Sequence, residues 1–348
     1  MRRSGAPTSL LHKVAHNFFY LGCCFGCFLL GSFLSLSTID PSVCDLNLCT
    51  RRIQHMTADD SNEWLAYWDK HALGEPKKVF LVILILTAPK NFELRNVIRQ
   101  TWLTDEGPDT LHYFVIGTEG LSDEFNVTIQ SEQRRFSDLL LLGNIKDSYN
   151  TLSKKLLASL VYIHKNVQFR FLLKCDDDTY VQLHQLHYEL KEVPYKQGVY
   201  WGFFDGRATP RRKGIWKEEN WLLCDHYLPY ALGGGYIISH DLVAFVARNS
   251  HYLQLYRSED VSMGVWLAPI ELHRIHDTKF DTEYRSRGCH NDYIVTHKQT
   301  PVSMRDKYNN LQTSGVMCKD LVQVRTSYNY NWNVLPSKCC VRNDTSIP

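Results

Sequence analysis

The run Phe171-Leu172-Leu173-Lys174-Cys175-Asp176-Asp177-Asp178 constrains this chain more than any other segment. A short, largely apolar stretch of this kind reads as a strand covered on both faces. Here it delivers three successive carboxylates to its end. In an open α/β sheet, ligands bind outside the carboxyl ends of the strands. Packed acids repel one another unless a cation neutralises them. Hard divalent ions take oxygen ligands and commonly bridge one or two carboxylates to substrate phosphates. The run therefore points to a metal-held diphosphate, for which a nucleotide-sugar is one natural carrier. The alternative is a solvated acidic turn, with Asp178 capping a helix that starts near Thr179.

The flanking sequence supplies the rest of a sheet. Val79 to Leu86 is continuously apolar and is ended by Thr87-Ala88-Pro89, which predicts a strand buried on both faces. Glu93 to Trp102 predicts a helix, with Leu94, Val97, Ile98 and Thr101 on one side. Leu111 to Gly117 and Leu139 to Leu142 are further strands, Thr151 to His164 is an amphipathic helix, and Phe169 to Leu173 leads into the acids. Strand, helix, strand in this rhythm gives an α/β domain with a mostly parallel central sheet. No GxGxxG loop follows the first strand and no Walker motif occurs, which disfavours a dinucleotide or P-loop domain. Beyond Tyr195 the pattern is less regular and rich in Trp, Tyr and Gly, as segments that build a substrate cleft often are.

The amino terminus gives the topology. Residues 14–39 carry no Asp, Glu, Lys or Arg and are strongly apolar, long enough for a helix to cross a bilayer. A cleaved signal peptide would usually have a shorter apolar core. Arg2, Arg3 and Lys13 precede the segment, so residues 1–13 are expected in the cytosol and the bulk of the chain in a lumen. Residues 40–76 read as a stem and 77–348 as the catalytic domain. Cys44, Cys49, Cys175, Cys224, Cys289, Cys318, Cys339 and Cys340 lie beyond the span, with no spaced CxxC pair among them. Disulfides in an oxidising compartment are favoured over zinc, with Cys175 as a free thiol in a buried strand. Asn126 and Asn343 head glycosylation sequons. A net charge of +2 gives no argument for nucleic acid.

Several blocks resemble one enzyme family. Arg95-Asn96-Val97-Ile98-Arg99-Gln100-Thr101-Trp102 is similar to its RxxIRxTW helix, and Cys175-Asp176-Asp177-Asp178 to its DxD region. Tyr200-Trp201-Gly202, Tyr230 to Tyr236 and Glu259-Asp260-Val261 follow in the family's order. The family is the inverting β-1,3-glycosyltransferases, which include the β-1,3-galactosyltransferases and resemble the fringe enzymes. Tyr200 to Phe204, Leu228 to Tyr236, Trp266 to Pro269, Phe280 to Cys289 and the Cys339-Cys340 pair are most similar to the branch that adds the second galactose of the proteoglycan linkage region. The resemblance implies a GT-A fold, Mn²⁺ (or Mg²⁺) dependence and a single-pass type II place in the Golgi membrane. It also implies UDP-galactose as donor and the galactosyl-xylosyl-serine of proteoglycan core proteins as acceptor. The rivals are another acceptor, UDP-N-acetylglucosamine as donor, or a luminal sugar-binding protein without catalysis.

The family pattern assigns roles to particular residues. Asp176 and Asp178 are the metal ligands, joined by His297, and Asp260 is the general base that deprotonates the acceptor hydroxyl. Asp177 points to the other side of an extended segment, toward a ribose or a backbone group. Arg95 and Arg99 lie four apart on one helix face and either reach the donor or pair with structural acids. Lys155, with Asp147, is a donor-side candidate in a block similar to the family's DxYxNLTxK, from which the chain departs at Thr151 and Ser153. In Gly233-Gly234-Gly235, Gly234 either lets the donor approach the backbone closely or belongs to a tight turn. Trp201, Tyr230 and Glu259 are the acceptor-side candidates, although an aromatic such as Trp201 is more often core and Glu259 can instead cap a helix.

Overall fold

The computed structural model describes residues 77–342. Residues 1–76, where a cytosolic tail, a membrane span over 14–39 and a stem are expected, and Asn343 lie outside the described residues. Among the described residues, no helix is long and apolar enough to cross a membrane.

Strand β1, Leu81–Leu86, is buried at every position, as a continuous apolar run requires when both faces of a sheet are covered. Helix α1 (Phe92–Gln100), strand β2 (Thr110–Gly117), helix α2 (Asp123–Phe136), strand β3 (Leu139–Leu142), helix α3 (Leu152–Asn166) and strand β4 (Phe171–Asp176) follow. Then come helix α4 (Leu183–Glu192), strand β5 (Val199–Asp205), strand β6 (Tyr230–Ser239), helix α5 (His240–Arg248), helix α6 (Glu259–Trp266), strand β7 (His273–His276) and helix α7 (Pro301–Ser314). The seven-stranded sheet has the order β7-β5-β6-β4-β1-β2-β3. All neighbours are parallel except at β6, which runs antiparallel to both β4 and β5, so the sheet is mixed. The expected rhythm from Val79 to the acids is present, with α2 as an additional helix between β2 and β3.

Two details position the site. Strand β4 continues past Leu173 through Asp176, whose partner on β1 is Leu86, so the first acid sits on the sheet's carboxyl edge. Beside it, a small second sheet pairs Tyr180–Val181 with Val295–Thr296, and that strand in turn pairs with Phe280–Asp281. Residues far apart in sequence are thereby brought beside the acid loop. Cys289 and Cys318 form a disulfide, as do the adjacent Cys339 and Cys340. Cys175 is a free, buried thiol and Cys224 is free and exposed.

Candidate active site

The three acids diverge at the end of β4. Asp176 and Asp178 turn toward His297, whose Nε2 lies 3.4 Å from Asp176 Oδ2 and 2.8 Å from Asp178 Oδ1. Their ligand atoms all lie within 4.8 Å of one another. Asp177 points the other way, accepting hydrogen bonds from Thr87 Oγ1 at 2.5 Å and Asn91 Nδ2 at 2.8 Å. The fold thus gives it two side-chain donors just past β1, in place of the expected ribose or backbone group. Burial pushes the Asp177 carboxyl up, partly offset by those two donors.

Lysine in an otherwise apolar strand needs a reason, and Lys174 has one. It is fully buried, and its ammonium donates to Asp176 Oδ1 at 2.8 Å, to Glu259 Oε1 at 2.6 Å and to the Gly233 carbonyl. Burial alone would raise the Asp176 carboxyl, but Lys174 and His297 hold it below the usual carboxylate range. His297 shows the reciprocal effect. Burial would lower it, yet its hydrogen bonds to Asp176 and Asp178 raise it to about 9. Lys174 and Asp176 are two apart and so share a strand face, which is the signal that sequence reading overlooked.

Asp260 lies in the first turn of helix α6. Its Oδ2 accepts the Gly233 N–H at 2.9 Å and its Oδ1 accepts the Val261 N–H at 2.8 Å. Ser258, the N-cap residue, makes no side-chain cap bond. Burial, reinforced by the neighbouring Glu259 and opposed by Lys174, pushes the Asp260 carboxyl up to about 7. A carboxylate fixed by two amides and poised near neutrality suits proton abstraction.

The triple glycine is no turn. It lies inside β6, and each member clears space for a different neighbour. A Cβ on Gly233 would meet Glu259 Oε1 at 2.6 Å, one on Gly234 the His297 ring at 2.6 Å, and one on Gly235 Val295 Cγ1 at 2.7 Å. Gly234 therefore seats the His297 imidazole, which replaces the expectation of direct donor contact.

Other expectations take the structural alternative. Arg95 is fully buried and forks onto Glu132 at 2.8 and 2.7 Å, while also donating to the carbonyls of Ala88 and Pro89. Arg99 donates to Glu132 at 2.7 Å and to Asp138 at 2.7 and 2.9 Å, and lies over the rings of Phe114 and Phe136. Neither is turned to a ligand, although Arg95 reaches Thr87 at 3.3 Å and so supports Asp177 indirectly. Trp102 donates its indole N–H to the Thr179 carbonyl at 3.1 Å, pinning the chain just past the acids. Lys155, also buried, donates to Asp147 Oδ2 at 2.7 Å and to the Thr87 carbonyl, and the same Asp147 oxygen accepts the Gly117 N–H. That pair ties the ends of β1 and β2 together.

On the acceptor side, Trp201 is core. It is 3% exposed, its indole donates to Asp277, and it packs edge-on against Phe280, so its faces are closed to a sugar. Tyr230 is largely buried in a cluster with Trp221, Tyr227, Tyr256 and Val261. Glu259 is the counter-ion of Lys174, and this explains its burial. Asn126 is exposed on α2. A cleft of about 490 Å³ lined by Gln182, Lys279, Arg287 and Tyr293 takes in none of Asp176, Asp178, His297 or Asp260.

The galactosyltransferase family pattern matches residues 93–278, from α1 through β7. The chain is 46% identical over 273 residues to mouse "Beta-1,3-galactosyltransferase 6", covering 77% of this chain and 84% of that protein. It is 30% identical over 272 residues to the Arabidopsis thaliana "Hydroxyproline O-galactosyltransferase GALT2", covering 74% of this chain and 38% of the plant protein. With a Xenopus laevis "UDP-GalNAc:beta-1,3-N-acetylgalactosaminyltransferase 2" it shares 31% over 191 residues, 55% of this chain and 38% of the relative. The family uses a nucleotide-sugar donor and a glycan acceptor, and its pattern takes in Asp176, Asp178 and Asp260. The chain belongs to the galactosyltransferase family and is a hexosyltransferase.

Proposed function

We propose that the chain transfers galactose from UDP-galactose, with inversion, to the 3-hydroxyl of a galactosyl-xylosyl acceptor on proteoglycan core proteins. The observation that carries this reading is one juxtaposition. Asp176, Asp178 and His297 gather at the sheet edge, and Lys174 links them through Gly233 and Glu259 to Asp260. Two carboxylates and an imidazole fit Mn²⁺, and fit Mg²⁺ less well because of the nitrogen ligand. Asp176, Asp178 and His297 would hold that ion, which supplies Lewis-acid neutralisation of the charge that builds on a leaving diphosphate.

The chain's own groups do the rest. Asp260 takes the proton of the acceptor 3-hydroxyl while that oxygen bonds to the anomeric carbon and the bond to UDP breaks. Its two amide donors fix the direction of its lone pairs, and its proton affinity near neutrality matches the task. Lys174 keeps Asp176 ionised and Glu259 in place. The apolar segment 14–39 and the Cys289–Cys318 disulfide support a Golgi membrane protein with a luminal catalytic domain. The choice of galactose and of a 3-linkage is supported by the similarity to a β-1,3-galactosyltransferase, and the linkage-region acceptor by the motif resemblance.

The test is a transfer assay on the full-length chain. It uses UDP-galactose, Mn²⁺ and a galactosyl-β-1,4-xyloside, with EDTA, UDP-N-acetylglucosamine and UDP-N-acetylgalactosamine controls. A metal-dependent β-1,3-linked digalactosyl product is expected. Transfer only to another acceptor, or only from another donor, rejects the linkage-region assignment. Full activity in EDTA rejects the metal.

A further inference from the structure

Lys298 has a backbone φ of 61°, in the left-handed region that residues with a Cβ rarely adopt. The other non-glycine residue with positive φ among those described, Ser137, ends a helix, where that conformation is ordinary. Lys298 ends none. Instead, hydrogen bonds pin the chain on both sides of it. The His297 N–H donates to the Asp281 carbonyl at 2.9 Å and the Gln299 N–H to the Asp178 carbonyl at 2.8 Å. The Gln299 side-chain amide also donates to the His297 carbonyl at 2.8 Å. Strain that is over-determined by its surroundings in this way gathers at functional sites.

What the strained residue secures is a charge. The Lys298 ammonium lies 3.2 Å from Asp178 Oδ2 and 3.1 Å from His297 Nε2. Those atoms belong to two of the three groups that would ligate a metal. Lys174 and Lys155 are buried and held by their partners, whereas the Lys298 side chain is 48% exposed, so its ammonium can exchange Asp178 and His297 for another partner. An ammonium has no lone pair and cannot join a coordination shell; it can only compete for the ligands or serve an anion nearby.

We infer that Lys298 is a tethered counter-cation of the metal site, which yields the Asp178 and His297 donor atoms to a divalent ion and then carries its charge to the diphosphate of the sugar donor. This rests on the metal-dependent reading above. A lysine suits the double duty, because its compact charge rides on a flexible stem while its pinned backbone stays put. Lysine is also a ready phosphate partner as a point charge.

The test measures binding of Mn²⁺ alone, and of UDP at saturating Mn²⁺, by calorimetry on full-length wild type, Lys298→Met and Lys298→Gly. Glycine adopts the left-handed conformation without strain, so Lys298→Gly removes the ammonium with no backbone penalty. Both variants are expected to bind Mn²⁺ alone at least about 3-fold more tightly, because no ammonium competes for the carboxylates. Both should bind UDP about 10-fold more weakly, for want of a charge-assisted contact. Mn²⁺ and UDP binding unchanged in both variants, beside normal binding by wild type, overturns this inference alone. So does a change in Lys298→Met that Lys298→Gly does not share. A wild-type chain that binds no Mn²⁺ overturns the metal reading and this inference together.

Discussion

Two clusters of buried charge flank the acid loop, and they are built on different terms. In the first, Arg95 and Arg99 face Glu132 and Asp138 across 2.7 to 2.9 Å, two cations against two acids. His112 closes it, bridging Glu106 and Asp138. In the second, Asp176, Asp178, Glu259 and Asp260 share Lys174, Lys298 and His297 as counter-charges. There the acids are in excess and Asp260 is pushed up to about 7. The contrast separates scaffold from chemistry. A balanced network holds its elements together and offers nothing to a ligand, whereas an acid-rich one is completed only by something from outside.

That contrast can be broken by substituting one member of each cluster. Asp260→Asn keeps the shape and one of the two amide contacts, since its NH2 cannot accept the other backbone N–H, and it cannot take up a proton. Transfer should fall about 10³-fold, roughly 4 kcal/mol of barrier, while UDP binding stays near wild type and the melting temperature of the full-length chain drops only modestly, for the one lost amide contact. Turnover within 10-fold of wild type would remove Asp260 as the base. Arg95→Met should do the reverse. Stranding part of Glu132 in the interior costs about 3 kcal/mol of stability, read as a lower melting temperature, while kcat per folded molecule changes little. A large rise in the UDP-galactose KM without loss of stability would return Arg95 to the donor site and erase the distinction.

Much of the scaffold was legible in the sequence because its signals are local. The apolar runs that became β1, β2, β3 and β4, and the helix pattern of α1 and α3, are statements about periods of two and 3.6 residues. The acids at the end of β4 and the distant Asp260 and His297 were legible through family motifs. What escaped was pairing at long range. Arg95 and Arg99 do share a helix face, but their partners lie 33 to 39 residues further on, where no period points to them. The triple glycine read equally well as a turn, because three missing side chains do not say which neighbours fill the space. Trp201 sits in the run Val199–Asp205, whose lack of alternation already marks a strand buried on both faces. That argument, applied to Trp201 itself, would have placed it in the core. His297 reaches the acids only because Val295–Thr296 pairs with Tyr180–Val181, a match too short for any pattern to reveal.

The finest distinction between the clusters concerns Glu259, which could belong to either: as scaffold it only neutralises Lys174, and as chemistry it also tunes Asp260. Asp260 is raised first by burial and second by the negative charge of Glu259, against the pull of Lys174. Glu259→Gln leaves the burial, keeps an amide oxygen for the Lys174 ammonium, and deletes the neighbouring charge. Ionised Asp260 then becomes easier to form, and the now less compensated Lys174 pushes in the same direction. Because the base works only when deprotonated, the rising limb of kcat against pH should move to lower pH, by about one unit. It should remain above the ordinary carboxylate range, since burial is untouched. The measurement is kcat from pH 5 to 9 at saturating donor and acceptor for wild type and variant. A limb that stays in place makes Glu259 a counter-ion and nothing more, and moves it into the scaffold cluster. A limb that moves toward higher pH shows instead that Glu259 governs the position of Lys174, because only a more distant ammonium would leave Asp260 harder to ionise.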